Sequence, residues 1–225
     1  MMIGLLGLVL TVAIYWGCKR LYRRFPIVVL TPLVSCLVVI VVLLSVTHVP
    51  YTKYMTGAHW LSSLLGPAVV SFAVPLHKNF ALLKRHAPEI LASLFIGCFT
   101  AITSSVIFAI LLRLNHTLAV SLAPRSVTTP IAMDISGQVG GIPTLTAVFV
   151  IITALIGIFV GPLTIRHLRI KSPVGKGMLL GMGAHGVGTS KAFDIGPLEG
   201  TFASLAMIVA AGLSSVLALV LVSRL

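Results

Sequence analysis

Apolar residues fill eight stretches of the chain, and polar and basic residues collect between them. The stretches are residues 2–17, 26–47, 60–76, 88–112, 118–136, 143–165, 177–189 and 201–222. A helix that crosses the hydrocarbon of a bilayer needs about 20 apolar residues. By that measure 26–47, 88–112, 143–165 and 201–222 are full spans, and 2–17 is a short one. The other three are short or interrupted. Gly66-Pro67 and Pro75 break 60–76, Pro124 and Pro130 break 118–136, and glycines crowd 177–189. The pattern predicts an all-α polytopic membrane protein with about 6–8 hydrophobic segments, several of them broken or re-entrant. Irregular backbone at membrane depth is tolerated only where protein or a water-filled cavity satisfies it.

Composition removes the soluble alternative. The chain is 58% hydrophobic and 9% charged, where a soluble domain carries about 25% charged residues. Its 225 residues are expected to form one transmembrane domain, 1–225. A net charge of +12 would suit nucleic acid, but the basic residues cluster between apolar runs: Lys19–Arg24, Lys78–Arg85 and Arg166–Lys176. That is the positive-inside pattern, with the lipid bilayer as partner and no nucleic acid. Three scattered cysteines give no zinc or disulfide spacing. The run from Met1 lacks a small-residue cleavage site, so a removed leader is not expected.

Charge also bears on the path of the chain. With Lys19–Arg24 and Lys78–Arg85 in the cytoplasm, a full crossing by 118–136 would put Arg166–Lys176 outside. A re-entrant 118–136 keeps that cluster inside. Residues 65–70 (LGPAVV) and 122–127 (LAPRSV) look alike, which raises an internal repeat. Paired, interrupted segments in two halves point to a transporter site near the midplane.

The polar residues inside the apolar runs are few enough to weigh singly. Gly181-Met-Gly-Ala-His-Gly186 fits GxGxxG, but no acid follows about 20 residues on, and no P-loop spacing is present. His185 has no second ligand at metal spacing. It is either a buried imidazole satisfying freed carbonyls or a substrate or proton contact. Gly183, Gly186 and Gly188 are expected to allow close backbone approach or positive φ. Asp134 ends an apolar run and needs an interface or a partner, for which Arg125 is available. Arg125 itself lies between Pro124 and Pro130, which free backbone carbonyls and helix ends, beside Ser126, Thr128 and Thr129. Arginine, hydroxyls and a helix start together make a carboxylate or phosphate receptor; snorkelling or structural pairing is the plainer alternative. No catalytic acid pair or Ser/His/Asp set is readable, so an enzyme is not expected.

Three motifs carry a family likeness. Residues 64–70 (LLGPAVV) with 74–79 (VPLHKN), residues 121–132 (SLAPRSVTTPIA) and residues 181–189 (GMGAHGVGT) resemble the signatures of the LrgB/CidB antiholin-like membrane proteins, and Leu198-Glu-Gly200 fits the end of that pattern. The resemblance implies a single-domain bacterial member, in the inner membrane of a Gram-negative cell. It implies a small LrgA/CidA-like membrane partner and a homo-oligomer. It also implies two functions. One is regulation of murein hydrolase export and lysis, or a pore formed with the small partner. The other, from the similar plastidic glycolate/glycerate translocator, is transport of small 2-hydroxy or 2-oxo monocarboxylates such as glycolate, lactate or pyruvate by alternating access. The second agrees with the reading of Arg125. The expected binding residues are then Arg125, Ser126, Thr128 and Thr129 from one motif, and His185, Gly186, Gly188 and Thr189 from the other. Asp134 and Asn79 are expected to be coupling or structural. No cofactor or metal is expected.

Overall fold

The computed structural model describes residues 2–25 and 30–222, and every regular element among them is a helix. They fall into two compact units, Met1–Ser71 and Phe72–Leu225.

The first unit holds α1 (Met2–Arg24), α2 (Pro32–Val46), α3 (Tyr51–Ser63) and α4 (Leu65–Ser71). α1 packs on α2 and α3, and the hydroxyls of Thr11 and Tyr54 share a hydrogen bond of 2.7 Å. The span expected over 26–47 starts later than its hydropathy suggests. Pro32 takes the first helical turn, and Thr31 before it is extended at ψ 136°, as a residue preceding proline prefers. Residues 26–29 lie outside the described residues. Pro67 does not itself sit at a break. α3 ends at Ser63, four residues before Pro67, where the proline ring would collide with the carbonyl of an unbroken helix.

The second unit begins with two short helices, α5 (Ala73–Lys78) and α6 (Phe80–Arg85). Three long helices follow at intervals: α7 (Ala87–Leu111), then α10 (Pro143–His167) and α12 (Pro197–Val222). Each is apolar enough to cross a membrane, and 25 residues rise about 38 Å against a hydrocarbon core of about 30 Å. Between α7 and α10 come α8 (His116–Leu122), a 3-10 turn at Ala123–Ser126 and α9 (Thr129–Gln138). Between α10 and α12 comes α11 (Pro173–Ile195).

Both intervening segments are helical hairpins of half the membrane's depth. In the first, α9 returns until Ser136 is level with Ser121 of α8. The Thr146 hydroxyl at the start of α10 donates to the Ser121 carbonyl at 2.9 Å and lies 2.7 Å from the Ser136 hydroxyl. Ser121 Oγ in turn accepts the Ile142 N–H at 2.8 Å. The chain therefore leaves 116–138 on the side where it entered, which is the re-entrant path the charge pattern favours.

In the second hairpin the turn is a single residue. His185 has φ 50° and ψ −129°, and residues 186–195 fold back along 173–184. Gly188 rests against the Leu180 carbonyl and Ala184, so closely that a Cβ there would overlap both. Ala192 clusters with Leu180 and with Ala203 of α12. The glycine-rich 177–189 is thus a re-entrant turn and not a crossing.

The two hairpins enter from opposite ends. The first packs by Val120, Ala123, Val127, Ala132 and Ile135 against Ile102, Val150 and Ala218, in the C-terminal parts of α7 and α12 and the N-terminal part of α10. The first arm of the second lies along the other half of the long helices, with Leu180 against Gly161 and Met182 against Gly97. α10 runs antiparallel to α7 and α12. Lys84, Arg85, Arg166 and Lys176 therefore gather at one end of this unit, and the positive-inside rule assigns that end to the cytoplasm. The hairpins 116–138 and 173–195 thus enter in opposite directions, while 65–70, which is similar in sequence to 122–127, lies in the single helix α4.

Candidate functional site

The tips of the two hairpins meet inside the second unit. Pro124, buried, opens the 3-10 turn that carries Arg125 and Ser126. Arg125 Nε donates to Ser105 Oγ on α7 at 2.9 Å, and Nη1 donates to Thr153 Oγ1 on α10 at 3.3 Å. A guanidinium has five N–H groups, so three remain for another partner. Among the described residues no acidic side chain supplies one. Glu89 is with His86, Glu199 with Lys176 and Asp194 with Lys191, while Asp134 is exposed and accepts from Gln138 Nε2 at 3.1 Å. All four acidic side chains of the chain are thereby engaged locally. The expected pairing of Arg125 with Asp134 is not formed, because α9 turns Asp134 outward.

His185 stands beside the Ser126 main chain and Arg125, with 4% of its surface exposed. Ser126 is near enough to perturb the ring, yet neither imidazole nitrogen reaches it, or any other group, in hydrogen-bond geometry. A buried polar group without a partner costs about 1–3 kcal/mol. Positive φ falls on this residue, not on the expected glycines 183, 186 or 188. Of those, Gly188 permits close approach, while Gly186 and Gly183 have open space where a Cβ would stand.

A chamber of about 480 Å³ leads to Arg125 and Ser126, with the buried His185 behind them and outside its lining. Arg125, Ser126, Thr153 and Ala101 line its inner end, and Gly183 and Met182 its middle. Ser93, Leu94, Met178 and Leu179 line the part toward the basic end. Its lining on α7 runs from Ser93 to Ala101, about 12 Å along the helix.

The remaining expected residues serve the frame. Thr128 precedes α9 and Pro130 lies in its first turn; neither they nor Thr129 line the chamber. Thr189 donates to the His185 carbonyl at 2.9 Å and so braces the turn. Asn79 donates to the Pro75 carbonyl at 2.9 Å and to Thr201 Oγ1 at 3.4 Å, tying α5 to α12. Ser105 and Thr153 were not expected. Both also bond the carbonyl four residues back, the ordinary fate of a hydroxyl within an apolar helix. Among the described residues no three His, Cys, Asp or Glu side chains gather for a metal.

Residues 11–224 match the LrgB-like family. The chain belongs to that family. This LrgB-like chain is 48% identical over 211 residues to the uncharacterized protein YwbG of Bacillus subtilis (strain 168), which covers 94% of each chain. It is 34% identical over 221 residues to the holin-like protein CidB of Staphylococcus aureus (strain Mu50), covering 97% of the LrgB-like chain and 96% of CidB. No solved structure matches it.

Proposed function

We propose that this chain is a holin-like component of the bacterial inner membrane, and that Arg125 makes the passage it controls selective for small carboxylates. The name of the Staphylococcus relatives favours the first half of that reading. The second half rests on one observation. Arg125 is held in place by two hydroxyls, and among the described residues no acidic side chain pairs with it. A fixed fork of donors matches a carboxylate, and the unpartnered His185 next to it suits a 2-hydroxy or 2-oxo group on the same molecule. Opposed hairpins with tips at the centre allow access from one side at a time, as in transporters built from inverted repeats. Residues 1–225 act as one unit in this reading, beside a small LrgA/CidA-like partner and as a homo-oligomer, and perform no covalent chemistry.

A second reading, favoured by the CidB likeness alone, is an antiholin-like regulator of murein hydrolase export and lysis, in which the solute path is unselective. Radiolabelled glycolate, lactate and pyruvate flux in proteoliposomes, with and without the partner, separates the two. Selective passage saturates and disappears in Arg125→Ala. A pore leaks in proportion to solute and ignores that change.

A further inference from the structure

We propose that Met182 and Gly97 form a gate between the basic end of the chamber and Arg125, and that this gate limits the size of the solute admitted. The inference rests on Arg125 as the anion site for its biological meaning, although the gate itself can be tested without it. Ser93, Gly97, Ala101 and Ser105 recur at every fourth position of α7 and so lie on one face. Ser93 and Ala101 of that face line the chamber, Gly97 between them is covered by Met182, and Ser105 beyond them holds Arg125. Met182 reaches across to it from the first arm of the second hairpin. Its thioether and methyl occupy the space over Gly97, so that a Cβ there would overlap both.

The contact falls at the right depth to be a gate. Met178 and Leu179, on the mouth side, are one turn before Met182, and Gly183, at the tip, follows it. On α7, Ser93 and Leu94 are one turn toward the mouth, and Ala101 is one turn toward Arg125. Gly97 is the single glycine of α7, in a helix interior where glycine costs about 1 kcal/mol relative to alanine. Space for Met182 is what it provides. Methionine has three rotatable bonds and an adaptable thioether, so the obstruction yields to a thin solute and resists a bulky one. Simple helix packing would account for the contact but not for its place midway along a chamber that reaches Arg125.

Cysteine accessibility measures the gate directly. In a full chain with Cys18, Cys36 and Cys98 replaced by alanine, a single cysteine is placed at Ala101 (inside the gate) or at Ser93 (outside). Inside-out vesicles are treated with a small and a bulky impermeant methanethiosulfonate. Position 93 should react with both at similar rates. Position 101 should react with the bulky reagent about tenfold more slowly than with the small one, the scale on which pockets discriminate by size. Met182→Ala, and the milder Met182→Val, should abolish that ratio at 101 and leave 93 unchanged. An unchanged ratio at 101 in both variants overturns the gate. In proteoliposomes Met182→Ala should also raise hexanoate flux relative to glycolate by about tenfold. If the ratio at 101 falls but no flux depends on Arg125, the gate stands and the carboxylate reading fails.

Discussion

Arg125 and His185 occupy the tips of two helical hairpins that enter the same bundle from opposite ends. One is a charged fork held by two hydroxyls; the other is a buried ring with no hydrogen bond. Their meeting point, not either residue alone, defines the site.

The fork is the first thing to test. Arg125→Lys keeps the charge but loses the paired geometry, and a charged hydrogen bond contributes about 1.5–3 kcal/mol. At about 1.4 kcal/mol per decade, carboxylate affinity should fall roughly ten- to hundred-fold. Arg125→Ala should remove flux, whereas Asp134→Asn, at an exposed carboxylate bonded only to Gln138, should leave it intact. Isotope flux, with membrane abundance measured alongside, checks both. Normal flux in Arg125→Ala would end the anion-receptor reading.

His185 carries backbone strain as well as chemistry. A non-glycine residue in this region costs about 1–3 kcal/mol, and glycine returns part of that gain as lost entropy. His185→Gly should therefore be as thermally stable as the parent or more so, and yet transport poorly. His185→Gln should lose stability and transport less severely than it loses affinity for 2-hydroxy acids. A thermal shift assay run beside competition by acetate and glycolate distinguishes strain from recognition.

The second hairpin should tolerate one glycine substitution and reject another. A methyl at Gly188 meets the Leu180 carbonyl and Ala184, and overpacking of this kind costs about 1–3 kcal/mol. Gly188→Ala should lower the unfolding temperature and membrane abundance. Gly186→Ala, with only Met207 Sδ within 4 Å of the new carbon, should be near neutral. Equal effects at the two positions would contradict the fold-back.

Topology can be read independently of function. Cysteines placed at Leu82 and Leu168 should be shielded from an impermeant reagent in intact cells, because both lie at the basic end. A cysteine at Gly140, in the turn after the first hairpin, should react. Labelling at Leu168 and not at Gly140 would reverse the assignment of sides.

The long helices and the broken ones are legible in the sequence for different reasons. Residues 88–112, 143–165 and 201–222 are apolar for long enough that α7, α10 and α12 follow from hydrocarbon thickness alone. Pro124 and Pro130 announce an interruption, and the basic cluster at Arg166–Lys176 requires it to be re-entrant. The turn of the second hairpin is not legible, because positive φ falls on His185 between glycines better suited to it. Ser105 and Thr153 are hidden as well. A hydroxyl in an apolar helix satisfies itself on its own backbone, and only the arrival of Arg125 from another segment gives it a second role. The resemblance of 65–70 to 122–127 does not extend to local structure, since the first is helix α4 and the second includes the 3-10 turn that carries Arg125.

The local engagement of all four acids has an electrical consequence. With no counter-ion of its own, the site carries one positive charge when empty and is neutral once a monocarboxylate is bound. A charge moved across the full membrane potential changes energy by about 2.3 kcal/mol per 100 mV. In a carboxylate carrier of the kind proposed, a negative cell interior would therefore draw the empty site toward the cytoplasm and have little hold on the loaded one. Voltage would govern how the site resets, and the solute gradient how it delivers.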